Sequence, residues 1–289
     1  MNQYEQKVEL YFELKGTPDS SRESYWRRMN AFLIYMHERN RPIEEMKVED
    51  IQQYILFLKK EKGLSSGTIN NYISAIKFFY TYVLDREWNP RQVPRMKRAQ
   101  SLPVIPAKDD VLLLLNSTNN LKHKAIFGLI YGSGLRVSEV AQLKICDIDS
   151  KSMRVRVQNA KHNTNRYTIL SDRALKVLRQ YFRNDFTKDY SRNDWLFPGR
   201  NPSEHIHVKS IKNTLIKMRD KLQLDQNISA HTLRHCFSTH LLEDGVDPVF
   251  IQQMLGHKTL KTTLTYLHMT SKSLMGVKSP LDTQGDHKA

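Results

Sequence analysis

Apolar residues over the first 84 positions recur at three- and four-residue steps, the spacing of one face of an α-helix. In Gly67–Leu84 the stripe is Ile69, Tyr72, Ile73, Ile76, Phe79, Tyr80 and Val83, and Ser65 or Ser66 can cap its start. Val48–Lys62 sets Ile51, Tyr54, Ile55 and Leu58 on one face and stops at Gly63, a residue suited to closing a helix. Tyr25, Met29, Phe32, Leu33 and Met36 mark an earlier helix, and Val8–Leu14 a shorter first one. Four helices with short links predict a small all-α bundle.

Periodicity stops at residues 85–108, where four prolines remove backbone donors and forbid helix. This stretch reads as a connector whose basic residues could track a phosphate backbone or simply be solvated. Three helices are expected next: Asp109–Leu115, Leu121–Tyr131, and one opening at Gly134 that carries Arg136 and Glu139. In Met153–Gln158 the apolar Met153, Val155 and Val157 alternate with Arg154, Arg156 and Gln158, a period of two that predicts a strand. Arg166–Leu170 can form its return, with Lys161 in the turn between. Helices resume at Ala174–Phe182, Lys209–Lys221 and Thr232–Glu243, the last closed by Gly245. Asp247-Pro248 is a cap and first-turn pair for Val249–Leu255, which ends at Gly256 and leaves His257 just past a helix end. The expected division is a helical domain over 1–90, a linker over 91–105 and a second, mixed domain over 106–289 with a polar tail.

The chain has 289 residues, 39% apolar and 26% charged, enough to bury a core. Its formal net charge is +15, with most of the excess after residue 100, which suits a polyanionic partner but does not by itself demand one. Two cysteines, Cys146 and Cys236, argue against a disulfide scaffold and fit a reducing compartment. Without a long apolar run or a signal-peptide profile, a cytoplasmic protein without membrane association is expected.

The segment from His231 to Tyr266 carries the chemistry. It holds His231, Arg234 and His257 ahead of Tyr266, while Y-G-S-G-L-R-V-S-E upstream adds Arg136. Two guanidiniums to hold phosphate oxygens, two imidazoles to handle protons and a phenol to attack phosphorus form a set suited to phosphodiester cleavage. Each residue alone has a plainer reading. Arg136 can pair with Glu139 one turn on, Tyr266 can be a core tyrosine, and a lysine on a hairpin is usually solvated. His231 and His235, one turn apart, invite a metal reading, yet no H-E-x-x-H glutamate or clustered cysteine supplies further ligands. His235 and His240 are expected to pack or cap within their helix. The Y-G-S-G glycines make no phosphate-binding P-loop, since G-K-[ST] is absent. No cofactor and no metal are expected.

Over nearly its whole length the chain resembles the tyrosine recombinases, the phage-integrase and Xer-like family. The matching blocks are G-S-G-L-R-V-S-E-V-A-Q-L, the hairpin lysine, L-F-P-G, H-T-L-R-H-C-F-S-T-H-L-L, L-G-H and T-T-L-T-Y-L-H. The resemblance implies a mainly α fold with a small antiparallel β-sheet. A SAM-like core-binding domain and a mixed α/β catalytic domain would clamp duplex DNA in a C shape. It assigns Arg136 and Arg234 to phosphate binding and Lys161 to protonation of the departing 5′ oxygen. His231 would bond a phosphate oxygen, and His257 would support the transition state or accept the phenolic proton. Tyr266 is then the nucleophile and Glu139 an accessory acid that orients its neighbours. His162 stands where many relatives carry glycine.

The resemblance further implies a site-specific recombinase of integration, excision or resolution, such as a mobile element carries. It would work through a 3′-phosphotyrosine intermediate and a Holliday junction. Four protomers, monomeric or weakly associated without DNA, would assemble on two double-stranded recombination sites, with accessory proteins as possible partners. The segment after Tyr266 would dock on a neighbour. Competing readings are a catalytically silent DNA-binding regulator of the same fold and a type IB topoisomerase. An integron-type integrase would need an added helical insertion, for which Arg183–Trp195 leaves little room.

Overall fold

A computed structural model describes residues 3–97, 105–160, 164–186, 190–225 and 228–265. The chain divides into two compact units, Met1–Ser101 and Leu102–Ala289.

The first unit is a bundle of α1 (Gln3–Leu14), α2 (Asp19–His37), α3 (Val48–Lys60) and α4 (Ser66–Phe78), with a short 3-10 turn at Ile43–Glu45. The apolar stripes find each other: Met29, Phe32, Ile51, Tyr54, Ile69, Ile73 and Ile76 are buried in one core. Ser65 caps α4, its Oγ accepting the Thr68 N–H at 3.3 Å. The expected single helix to Leu84 instead ends at Phe78 and continues as a π turn over Phe79–Val83. Here Phe78 and Phe79 meet α1: Phe12 stacks on Phe78 with centroids 5.0 Å apart, and Tyr4 meets Phe79 edge-on.

Residues 91–97, read as the start of a linker, pack on this core: Val93 is buried and Met96 lies against the cluster. Buried Asn70 on α4 fixes the segment, donating from Nδ2 to the Met96 carbonyl and accepting the Met96 N–H, both at 2.9 Å. A buried amide costs little when donor and acceptor are both satisfied.

The second unit begins with α5 (Lys108–Ser117), α6 (Leu121–Ser133) and α7 (Val137–Ala141). Ala125, Ile126, Phe127, Leu129 and Ile130 are all buried on α6, making it the central helix. Gly134 was expected to open the next helix. Instead it closes α6 in the left-handed conformation at φ 64°, and Arg136 is the cap of α7. A sheet follows, ordered β1 (Ile148–Asp149), β2 (Arg154–Ala160), β3 (Thr164–Ile169), antiparallel throughout. The expected alternation holds at Val155 and Val157, both buried, while Arg154 is exposed. β1 is too short for a period to reveal.

Helices α8 (Asp172–Asp185), α9 (Val208–Lys221), α10 (Ala230–Glu243), α11 (Pro248–Leu255) and α12 (Leu260–Leu264) complete the unit. The Asp247 side chain caps α11, and Gly256 ends it at φ 63°. Among the described residues no helix is long and apolar enough to cross a membrane.

Candidate active site

Three turns bring the sequence-distant residues together. The α6–α7 turn presents Arg136, the start of α10 presents His231 and Arg234, and the end of α11 presents His257. Ser229 caps α10, accepting the Thr232 N–H at 3.1 Å, so the positive end of a 14-residue helix faces the site. A cavity of about 440 Å³ is lined by Arg136, Lys212, Ser229, His231 and Arg234 among others.

Glu139 organises the arginines. Its side chain is 7% exposed, and three guanidiniums surround its carboxylate. Arg136 Nη1 donates to Oε1 at 2.7 Å, while the Arg136 backbone N–H donates to Oε2 at 2.8 Å. Arg166 reaches both oxygens in a fork, Nη1 to Oε1 at 3.0 Å and Nη2 to Oε2 at 2.8 Å. Arg234 Nη1 stands 3.5 Å from Oε2. Burial alone would raise this carboxyl, but the Arg166 bonds and charge, with the Arg136 bonds, overcome it and hold it at about 2. The pairing of Arg136 with Glu139 is therefore real, and it belongs to a larger constellation. One carboxylate among three guanidiniums leaves surplus positive charge, the condition for holding an anion.

Arg136 and Arg234 differ in setting. The Arg136 side chain is 29% exposed and so open to the cavity. Arg234 is buried, with Nη1 donating to the Gly134 carbonyl at 2.6 Å and Nη2 to the Leu255 carbonyl at 2.8 Å. Its helix thus ties the ends of both α6 and α11 together.

His257 Nε2 lies 3.4 Å from Arg234 Nη2, and its Nδ1 lies 2.9 Å from Thr263 Oγ1. With Arg234 as donor, Nε2 is the accepting nitrogen and Nδ1–H points at the threonine. Burial, then the charges of Arg234, Arg136 and Arg166, pull its pKa down to about 4. His231 is also lowered, first by burial and then by Arg234, Arg136 and Lys212. Both imidazoles are consequently neutral near pH 7 and able to accept a proton.

The remaining histidines behave as the sequence suggested. His240 is buried and its Nδ1 lies 3.0 Å from the Tyr131 hydroxyl. The His235 ring packs edge-on to His231, centroids 4.2 Å apart. Among the described residues no group of three or more histidines, cysteines and acids could hold a metal ion. Lys161 and Tyr266 lie outside the described residues.

Sequence reasoning missed Arg166, Lys212 and Thr263. A signal for Arg166 was present: in R-Y-T-I-L the inward face is Thr168 and Leu170, and Arg166 shares their parity. An arginine on an inward face demands a buried acid. Lys212, exposed on α9, looks like any surface lysine until the cavity beside it is seen.

Comparison with known proteins places the chain in a family. Residues 5–90 match the phage integrase N-terminal SAM-like domain, and residues 107–273 match the phage integrase family. A putative integrase/recombinase of Sinorhizobium fredii is 39% identical over 235 residues, covering 81% of this chain and 92% of the relative. The tyrosine recombinase XerD of Oceanobacillus iheyensis is 32% identical over 277 residues, covering 90% of this chain and 91% of its own. The crystal structure of XerA recombinase is 28% identical with a TM-score of 0.54, covering 94% and 95% of the two chains. The XerH site-specific recombinase, solved with a palindromic difH substrate, shares the fold at a TM-score of 0.72 and 17% identity, covering 94% of this chain and 82% of its own. The chain belongs to the phage integrase family and is a tyrosine-type site-specific DNA recombinase.

Proposed function

We propose that this recombinase cleaves and rejoins double-stranded DNA at a specific site through a covalent link to Tyr266. The observation that carries the reading is the convergence of Arg136, Arg234 and His231 on one cationic cavity, with His257 hydrogen-bonded behind Arg234. The XerH site-specific recombinase, which shares this fold, was solved bound to its difH substrate.

In the reaction the Tyr266 oxygen bonds to the scissile phosphorus as the bond from phosphorus to the 5′ oxygen breaks. The products are a 3′-phosphotyrosine and a free 5′-hydroxyl. The phenolic proton passes to the neutral His257, whose Nε2 gives up its long 3.4 Å contact with Arg234 to take it, and Lys161 delivers a proton to the departing oxygen. Arg136 and Arg234 hold the phosphate oxygens, His231 bonds one of them, and charge developing on the pentavalent phosphorane meets donors already in place. Glu139 holds the arginines in position. The phosphotyrosyl bond retains the energy of the phosphodiester, so a 5′-hydroxyl from another duplex reverses the attack without nucleotide hydrolysis.

Exchange between duplexes requires four protomers on two sites, passing through a Holliday junction. Integration, excision and resolution are all served by this chemistry, and the work is done in the cytoplasm on chromosomal or mobile DNA. The SAM-like domain over 1–90, with residues 91–97 packed on its core, and the catalytic domain over 106–289 supply the two DNA contacts. A nicked substrate, which loses its 5′-hydroxyl fragment after cleavage, tests the reading. The wild type should leave a covalent protein–DNA band on a denaturing gel; a protein that binds the site and never gives the band is a silent regulator, and the reading fails.

A further inference from the structure

We propose that Arg166 is a positioning residue of this site, a strand-borne clamp that fixes Glu139 and the Gly256–His257 turn as one unit. The inference rests on the reaction proposed above.

The carbonyls at the end of α11 carry it. The last four carbonyls of a helix have no partner within the helix and must find one elsewhere. Here every one is accounted for. The Gln252 carbonyl accepts the His257 N–H at 3.1 Å and the Gln253 carbonyl accepts the Gly256 N–H at 3.2 Å. The Met254 carbonyl accepts Arg166 Nε at 2.7 Å, and the Leu255 carbonyl accepts Arg234 Nη2 at 2.8 Å. Two guanidiniums therefore cap the negative end of α11, and both stand against Glu139. His257 is the second residue beyond that helix, so the two arginines hold the backbone that carries its ring.

Arg166 does this from β3, opposite Val157. Its side chain is 8% exposed, and three of its N–H groups are committed, two to Glu139 and one to Met254. Lysine cannot reproduce a planar fork plus a third donor at a fixed angle. The stem of Arg166 also passes directly over Gly256. A Cβ at position 256 would stand 2.9 Å from Arg166 Cδ, and the backbone there has φ +63°. Glycine is required on both counts, which gives the glycine of L-G-H a physical reason.

The test is single-turnover cleavage of the nicked substrate by the wild type, Arg166→Lys and Arg166→Met, with thermal melting and DNA affinity measured in parallel. Arg166→Lys should bind the site within about threefold of the wild type and form covalent complex on the order of 100-fold more slowly, the loss expected for misplacement by about an ångström. Its pH–rate profile should keep the wild-type acid limb, because the positive charge stays. In Arg166→Met that limb should move upward. His257 is faced by Arg234 and His235 from α10, Arg136 from the α6–α7 turn, Arg166 from β3 and Thr263 from α12, and only the Arg166 charge is removed. Cleavage by both variants within about threefold of the wild type overturns the proposal. So does a slowing matched by lost DNA affinity with an unmoved acid limb in both. Should the variants melt below the assay temperature, Gly256→Ala keeps every polar group while pressing on the Arg166 stem. It should cleave at least tenfold slower at unchanged affinity, and a wild-type rate refutes the clamp. Failure of the wild type itself to form covalent complex would instead refute the reaction on which the clamp depends.

Discussion

Replacing Glu139 by glutamine keeps the shape of the side chain and removes its charge, isolating what the carboxylate does for three arginines. The carboxyl is held at about 2 against an ordinary 4.5, and its side chain is 7% exposed, so solvent screens it little. That separation corresponds to about 3 kcal/mol of stability for the ionised form. The folded-state value is depressed, so this stability is fully present above 4.5 and is lost as pH falls from there toward 2. Glu139→Gln should therefore destabilise the catalytic unit by about 3 kcal/mol at pH 7. For a unit of this size that lowers its melting temperature by roughly 6–12 °C. Guanidinium or urea titrations at pH 7 and pH 3.5 measure it, the gap between variant and wild type narrowing at the lower pH. A variant within about 0.5 kcal/mol of the wild type at pH 7 would refute the hub, as would a gap that ignores pH across that window.

Gly134→Ala places a methyl 2.5 Å from Phe237 Cδ1 and 2.9 Å from Leu255 Cδ2 at a residue with φ +64°. Left-handed strain and overpacking together should cost about 3 kcal/mol by denaturant titration, and the Gly134 carbonyl that holds Arg234 should shift with it; an unchanged midpoint contradicts the packing. His235 and His257 are both pulled down to about 4 by burial, then by neighbouring charge from the histidine and arginine side chains. The unfolded chain then takes up protons that the folded one refuses, and stability should fall by about 1.4 kcal/mol per pH unit for each group between roughly pH 6.5 and 4. Urea midpoints from pH 7.5 to 5 check this, and a flat series counts against neutral imidazoles in the site.

Most of the fold was legible because its helices are amphipathic and punctuated. Ser65, Asp247-Pro248 and Gly256 mark ends that the structure keeps, while α3 stops at Lys60, short of Gly63. Boundaries failed where tertiary packing overrode the local pattern. Gly134 reads as a helix opening and is a closing residue, because the Arg136 backbone N–H finds its acceptor in Glu139. The Phe78–Tyr80 run continues a helical stripe, yet its bulky rings are accommodated by a π turn. Residues 91–97 belong to the proline-rich, periodless stretch 85–108, and Asn70 draws them onto the bundle through two hydrogen bonds that no period encodes. At the site, the spacing from His231 to His257 exposed the motif residues but not what holds them. The clamp of Arg166 on Glu139 joins residues far apart in the chain, and only the parity of Arg166 on its strand hinted that its side chain turns inward.

The identity of the nucleophile is tested most directly by mapping the covalent complex. Protein trapped on the nicked site is digested with protease and nuclease, and the nucleotide-bearing peptide is sequenced by mass spectrometry. The account predicts a single modified peptide, with the phosphoryl group on the Tyr266 oxygen, and no such adduct from Tyr266→Phe despite normal DNA binding. An adduct on any other side chain, or an undiminished yield from Tyr266→Phe, would contradict it.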